Sequence, residues 1–249
     1  LVRLLVPGTS AIPCGRDLGF YRLRRAVACL ASAFPVYRSY VRPGQEMQQE
    51  DASLLQTALE RAASQDPGSP AALRCLAEFL NLPRRDLDQE AAQARDAFLE
   101  RLQQTTGALA AKGFEDTHLY TYHRLTSLNE VGGDPHRPGI DPEEFHQYML
   151  QRAERWPHSM SATATHDTKR GEDVRARLNV ISELPWEWTE RVRHWRGLNR
   201  ECRTEVEGVP APDGNEEYLL YQTLVGTYPL AEADHQGYKQ RLRDYLVKA

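Results

Sequence analysis

The spacing of the apolar residues in the first half of the chain fixes what that half can become. From Phe20 to Phe34 they recur on a helical period, and the run stops at Pro35. Apolar positions three and four apart line one face of a helix, whereas a strand on a core would need alternation. Ser53 to Ser64 is an Ala/Leu helix closed by Asp66-Pro67-Gly68-Ser69-Pro70, a run that breaks helical backbone. Ala71 to Leu82 is a third helix, ended by Pro83. Leu87, Ala91, Ala94, Phe98 and Leu102 then mark one face of a long fourth helix. Nothing here alternates with period two, so the residues alone describe a helical packing module.

The middle of the chain changes character. Gly107–Gly113 is small and apolar with glycines at both ends, which reads as a buried strand. Asn129-Glu130-Val131-Gly132-Gly133-Asp134-Pro135 is a dense turn. Asp141-Pro142-Glu143-Glu144 is a helix start, with Asp as N-cap and Pro at the first helical position. The helix it opens is expected to bury Phe145, Tyr148 and Met149 and to end before Pro157. In Ser159–Thr165 hydroxyl residues alternate with small or apolar ones, as in a strand, and the run ends in His166-Asp167-Thr168-Lys169-Arg170. Val174, Leu178 and Ile181 share one face of the helix that follows. Strand, charged loop and helix in that order make half of a β/α unit. The last third reads as helices over Trp188–Glu207, Asn215–Val225 and Gln236–Lys248, with Gly208–Gly214 as a connection.

Composition excludes several functions. The 249 residues carry 31 Lys and Arg against 35 Asp and Glu, a net charge of -4, without the basic surplus that a phosphate-backbone binder needs. No apolar run approaches the roughly 18 residues of a membrane helix. The four cysteines, Cys14, Cys29, Cys75 and Cys202, lie far apart and read as reduced thiols. The eight histidines never fall at metal-ligand spacing, and no dinucleotide, P-loop or nucleophile-elbow motif occurs. Neither a metal nor a cofactor is therefore expected. Two polar clusters remain: Lys112-Gly113-Phe114-Glu115-Asp116-Thr117 and Thr165-His166-Asp167-Thr168-Lys169-Arg170. Structurally, Asp167 could be the N-cap of the next helix and Lys112 with Glu115 a surface ion pair. Functionally, a Thr-rich strand followed by His-Asp and Lys-Arg makes a polar rim suited to hydroxyl-rich ligands.

Four segments carry a resemblance that decides between these readings. SATATHDTKRGEDVRARLNVISELPWEW, AKGFEDTHLYTYHRLTSLNEVGGDP, FPVYRSYV and NEEYLLYQTLVGTYPL resemble the maltooligosyltrehalose synthase family, glycoside hydrolase family 13 of the α-amylase superfamily. The likeness runs from about Phe34 to the end, and the HDTKR-EDVRARL block is its most specific part. It implies an α/β fold, a partial (β/α)8 barrel with helical insertions in which this chain is itself mostly α. Ser161–Thr165 and part of Ala108–Lys112 would be neighbouring parallel strands. The implied regions are a helical insertion over 1–105, barrel strands and loops over 106–185, and a helical part over 186–249.

The implied reaction converts the reducing-end α-1,4 bond of a maltooligosaccharide into an α,α-1,1 bond with retention. Such chemistry needs a nucleophilic carboxylate and a carboxylic acid close together. Asp167 matches the superfamily's third carboxylate, which orients hydroxyls and stabilises the cationic transition state. His166 would bind sugar hydroxyls. Lys169 and Lys112 match lysines that hold the freed glucose, with Arg170, Glu115 and Asp116 nearby, and Asp167, His166 and Lys112 are expected on one rim. The Gly-x-Arg-x-Asp motif of the nucleophile is absent and nothing matches the acid's motif, so the expectation is an inner and C-terminal fragment, inactive alone, whose remaining barrel lies upstream. No secretory signal is legible, and the expected location is cytoplasmic, with a maltooligosaccharide as partner and neither nucleic acid nor membrane. The alternative is a stand-alone helical interaction module without catalysis.

Overall fold

The computed structural model describes residues 1–249 apart from Pro67, Ser69, Glu232, Ala233 and Ala249. Two positions of the expected breaker thus lie outside the described residues. The chain divides into two compact units, Leu1–Phe114 and Glu115–Ala249.

The described elements of the first unit are helices. Helix α1 spans Val2–Ser10, α2 Phe20–Ser32, α3 Gln49–Gln65, α4 Pro70–Asn81 and α5 Gln89–Ala108. The apolar faces read from the sequence meet in one core. Leu5, Leu23, Leu30, Leu55, Leu76, Phe79, Phe98 and Leu102 are all at most 2% exposed. Asp88 caps α5 by accepting the N–H of Ala91 at 2.7 Å, which supplies one of the acceptors a helix start lacks. The extended stretch before α3 is held by a side chain instead of a strand. Gln103 Oε1 accepts from Val41 N–H at 2.6 Å and its Nε2 donates back to Val41 O at 3.2 Å.

Leu109–His118 continues as a π-helix, and the boundary between the units falls inside it. Gly107–Gly113 is therefore helical and the expected strand over Ala108–Lys112 does not form. Gly107 sits in the last turns of α5, where glycine is tolerated at a cost of about 1 kcal/mol against alanine.

The second unit has α6 Leu119–Thr121, α7 Pro142–Arg155, α8 Glu172–Glu183, α9 Pro185–Leu198, α10 Gly214–Thr227 and α11 His235–Lys248. Its described strands are a hairpin, β1 Thr204–Val206 and β2 Val209–Ala211, which replaces the end of the helix expected to reach Glu207. Leu178 of α8 is fully buried against α10, where a Cβ on Gly226 would lie 2.8 Å from Val174 Cγ1. Asp141 caps α7 as expected, accepting from Glu144 N–H at 2.8 Å. The burial expected of α7 is wrong, however: Phe145 is 48% exposed, Tyr148 59% and Met149 39%.

Ser159–Thr165 is not a strand. No partner strand lies beside it among the described residues, so its carbonyls bond to side chains. Arg152 donates to the carbonyls of Ser159 at 3.4 Å and Met160 at 3.2 Å, and Arg175 donates to that of Thr163. Helical content thus matches the mostly α expectation, and the described residues form no part of a barrel sheet.

Candidate functional site

The two polar runs stand on different supports. Lys112, Glu115 and Asp116 are carried by the π-helix, with Lys112 exposed in the first unit and the two carboxylates in the second. π-Helical turns are rare and are frequently found at functional sites. His166, Asp167, Lys169 and Arg170 lie on the loop that leads into α8.

Within the second unit the two runs meet. Lys169 Nζ donates to Asp116 Oδ1 at 2.7 Å and stands 5.6 Å from the centre of the Tyr120 ring, within cation–π reach. The Asp116 carboxylate pushes the Lys169 ammonium above its ordinary value, and the nearby charge of Asp167 adds to the rise. Arg170 donates to Thr126 O at 3.2 Å and to the Tyr245 hydroxyl at 3.4 Å.

The turn 129–134 joins the runs. Glu130 Oε1 accepts from Lys169 N–H at 2.6 Å and Oε2 from Arg170 N–H at 3.3 Å. The same carboxylate accepts from Val131 N–H at 3.2 Å and faces the Arg175 guanidinium at 3.8 Å. Two residues further on, Gly132 N–H donates at 2.8 Å to Oε1 of Glu115, which is only 7% exposed. One carboxylate on the π-helix holds the turn, and one carboxylate in the turn holds the loop.

Amide side chains fix the surrounding backbone. Asn129 Nδ2 donates to the carbonyls of Leu119 and Tyr122. Gln222 of α10, fully buried, accepts the Thr126 N–H at 2.8 Å and donates to His123 O at 2.6 Å. Buried polar groups of this kind stabilise a site only when they are paired, and a lost partner costs about 1–3 kcal/mol. The cleft among Glu115, Tyr120, Asn129, Lys169, Arg170 and Tyr245 has a volume of about 70 Å³. A space of that size holds about two waters. These groups are packed on one another, and the loop turns its other side to solvent.

His166 and Asp167 form that open side. Thr168 N–H donates to Thr165 O at 3.1 Å, Thr165 N–H to Thr168 Oγ1 at 2.6 Å, and Asp167 N–H to Thr165 Oγ1 at 3.3 Å. The turn's own hydroxyls bond its amides, and both side chains are exposed. Asp167 is not a helix cap, because α8 begins at Glu172 and its N-cap is Gly171. An exposed carboxylate and an imidazole beside a lysine held by a second carboxylate can bind vicinal hydroxyls and balance developing positive charge. Among the described residues no cluster of three or more His, Cys, Asp or Glu is placed to hold a metal ion, and no helix is long and apolar enough to cross a membrane.

Sequence reasoning missed Glu130, Asn129, Thr126, Gln222 and Tyr245. The first two lay in the dense turn, Thr126 and Gln222 in segments that carry the resemblance and Tyr245 in the last helical pattern, but none stood out as a site residue. The partners of Glu130 are 39 and 40 positions away, and those of Gln222 are 96 and 99.

Comparison with known proteins gives these residues a context. No family model matches the chain. A putative maltooligosyl trehalose synthase of Mycobacterium tuberculosis is 43% identical over 149 residues, which is 60% of this chain and 18% of that protein. The solved maltooligosyltrehalose synthase of Arthrobacter ramosus matches 98% of this chain and 29% of its own, with 33% identity and a TM-score of 0.64. A hypothetical maltooligosyl trehalose synthase of Sulfolobus tokodaii matches 99% of this chain and 30% of its own, with 28% identity and a TM-score of 0.61. The resemblance read from the sequence therefore holds along nearly the whole chain. The chain spans less than a third of the length of each of these relatives.

Proposed function

We propose that this chain is a segment of an enzyme that converts the reducing-end α-1,4 bond of maltooligosaccharides into an α,α-1,1 bond by retaining intramolecular transglycosylation. The observation that carries the reading is the meeting of the two motif runs through which the chain resembles such enzymes. Residues 53 positions apart, Asp116 and Lys169, form a 2.7 Å ion pair beside an exposed His-Asp turn.

Retention requires two displacements at one carbon: a carboxylate attacks while an acid protonates the departing oxygen, and a hydroxyl of the freed sugar, giving its proton to that same group now acting as base, then attacks the glycosyl-enzyme and expels the carboxylate. The second step makes a trehalosyl end only if the freed glucose stays and turns. Asp167 serves as the third carboxylate, binding hydroxyls of the distorted sugar and stabilising the oxocarbenium-like transition state. His166 binds hydroxyls at the cleavage point. Lys169 holds the freed glucose. Asp116 keeps Lys169 charged and in place, and Glu115 and Arg170 shape the ground beneath it.

The nucleophile and the acid belong to parts of a longer protein, as does most of the barrel whose rim would carry the 165–170 loop. In this scheme residues 1–105 are a helical insertion, 106–185 bring the site residues and 186–249 are the helical part that follows. The bare apolar face of α7 supports a larger body around this segment, since Leu150 is 71% exposed and nearby Met160 97%. The segment alone makes no trehalosyl ends. The reaction uses no cofactor, and the enzyme works in the cytoplasm.

The test is incubation of maltopentaose with the full-length enzyme carrying this segment, with glucose and the trehalosyl product measured separately. The wild type makes mainly the trehalosyl product. Lys169→Ala raises the glucose fraction several-fold, because one charge-assisted contact to the waiting sugar is worth about 1.5–3 kcal/mol. Wild-type product that contains no α,α-1,1 bond contradicts the proposal.

A further inference from the structure

We infer that Glu130 is a positioning residue, one that acts on the reaction only through the placement of Lys169 and Arg170. The inference rests on the role proposed above for Lys169 and adds a residue which that role does not contain. Consecutive backbone amides at 169 and 170 point at the two oxygens of one carboxylate, 2.6 and 3.3 Å away. Two adjacent N–H groups converging on the two oxygens of one carboxylate hold its charge with backbone alone. Here the anion comes from the protein itself, and the residues whose amides hold it also carry the functional side chains.

Three observations show that the carboxylate acts as a bridge rather than as a surface charge. Its side chain is 19% exposed and Arg175, at 3.8 Å, faces it from the first turn of α8. Val131 N–H, at 3.2 Å, orients it from its own turn. That turn is in turn tied to Glu115 through Gly132 N–H. Asp116 follows Glu115 on the π-helix and grips the far end of Lys169. Lys169 is thus held at both ends, its backbone by Glu130 and its ammonium by Asp116. Releasing the backbone end leaves the side chain pivoting about its tip, and orientation at this scale governs how well a bound sugar is presented.

The experiment compares Glu130→Ala, Lys169→Ala and the double variant in the full-length enzyme, measuring the glucose-to-trehalosyl ratio from maltopentaose together with kcat and KM. Amide hydrogen exchange of Lys169 and Arg170 is followed in the wild type and in Glu130→Ala. Glu130→Ala shifts the product ratio in the same direction as Lys169→Ala, and the double variant goes no further than Lys169→Ala alone, because the two act as one unit. The amides at 169 and 170 exchange about tenfold faster, as expected for the loss of a charge-assisted acceptor, while the core of α10 keeps its protection. Should Glu130→Ala fail to fold, Glu130→Gln carries the same readouts: one amide keeps an acceptor and the other faces an NH2 group. Unchanged exchange at both amides overturns the inference, as does a double variant whose effects multiply. If Lys169→Ala itself leaves the product ratio untouched, the reading of Lys169 fails, and exchange at the two amides then decides the positioning alone.

Discussion

Asp116 and Asp66 are both carboxylates fixed by one long cation, and the two pairs respond to pH in opposite windows. Lys169 is raised above its ordinary value by its hydrogen bond to Asp116. A raised lysine contributes stability that is whole below its unfolded value and fades as pH climbs through its folded one. Asp116→Asn removes the main cause, so the Lys169 ammonium, followed by NMR at its Cε, should titrate at lower pH in the variant. An unmoved midpoint contradicts the pair. Asp66 is the mirror case. The Arg25 guanidinium, at 2.6 and 2.7 Å, holds its carboxyl down at about 2 from an ordinary 3.8. That contribution is present above the ordinary value and lost as pH falls towards about 2. Asp66→Asn should therefore lower the denaturation midpoint at neutral pH, with the gap to wild type closing on acidification through that window. A gap independent of pH would show that Asp66 acts through packing. Arg25 is well exposed, so the effect is modest and screened by salt.

At the scale of elements, α8 and α10 pack closely because Gly226 has no side chain. A Cβ there would lie 2.8 Å from Val174 Cγ1 and 3.4 Å from Leu178 Cγ. Alanine gains about 1 kcal/mol of helix propensity over glycine. Overpacking against a branched, stiff valine costs about 1–3 kcal/mol, and the steric term prevails. Gly226→Ala should lower the urea midpoint, and an unchanged or raised midpoint would show that the helices separate freely. Elements whose signals are local were legible in the sequence. Pro35 and Pro83 mark where α2 and α4 have ended, and the Asp141-Pro142 start of α7 is capped as read. Elements decided by partners were not legible. Gly107 and Gly113 look like turns, yet helical backbone runs through both. Ser159–Thr165 alternates like a strand but finds no neighbour to pair with, and Arg152 and Arg175 take its carbonyls. The β1–β2 hairpin carried a signal that was passed over, the two-residue Glu207-Gly208 link with both φ positive, at 51° and 82°, the backbone a tight hairpin prefers. The site divides in the same way. Asp116 and Lys169 were legible as motif residues, whereas Glu130 was hidden because a turn glutamate gives no hint of amides 39 and 40 positions away.

The two units differ in what holds them together. The first has a continuous apolar core contributed by all five of its helices. In the second, Leu119, Leu178, Leu219, Tyr221 and Tyr238 are the buried apolar residues among those described, and carboxylates and amides do much of the joining. Glu217, 4% exposed, receives Arg203 and, at 3.3 Å, Arg196, and accepts the Tyr221 hydroxyl at 2.6 Å. Removing the carboxylate takes the acceptor from the Tyr221 hydroxyl and leaves two arginines that are 26% and 52% exposed and can turn to water, at a cost of about 1–3 kcal/mol. Glu217→Ala should therefore unfold the second unit at markedly lower temperature while the first unit melts as before, which calorimetry on the 249-residue chain would resolve as two shifted or unshifted transitions. The role proposed for Asp167 is to stabilise the charge developing in the transglycosylation. The direct measurement is the turnover rate of maltopentaose into the trehalosyl product by the full-length enzyme and by its Asp167→Asn variant, each checked for folding. The side chains are nearly isosteric and the charge acts mainly on the transition state. The variant should keep the fold and its KM within a small factor while kcat falls by about 10²–10³, the scale of one lost electrostatic contact to a transition state. A folded Asp167→Asn enzyme that turns over at the wild-type rate would contradict the assignment.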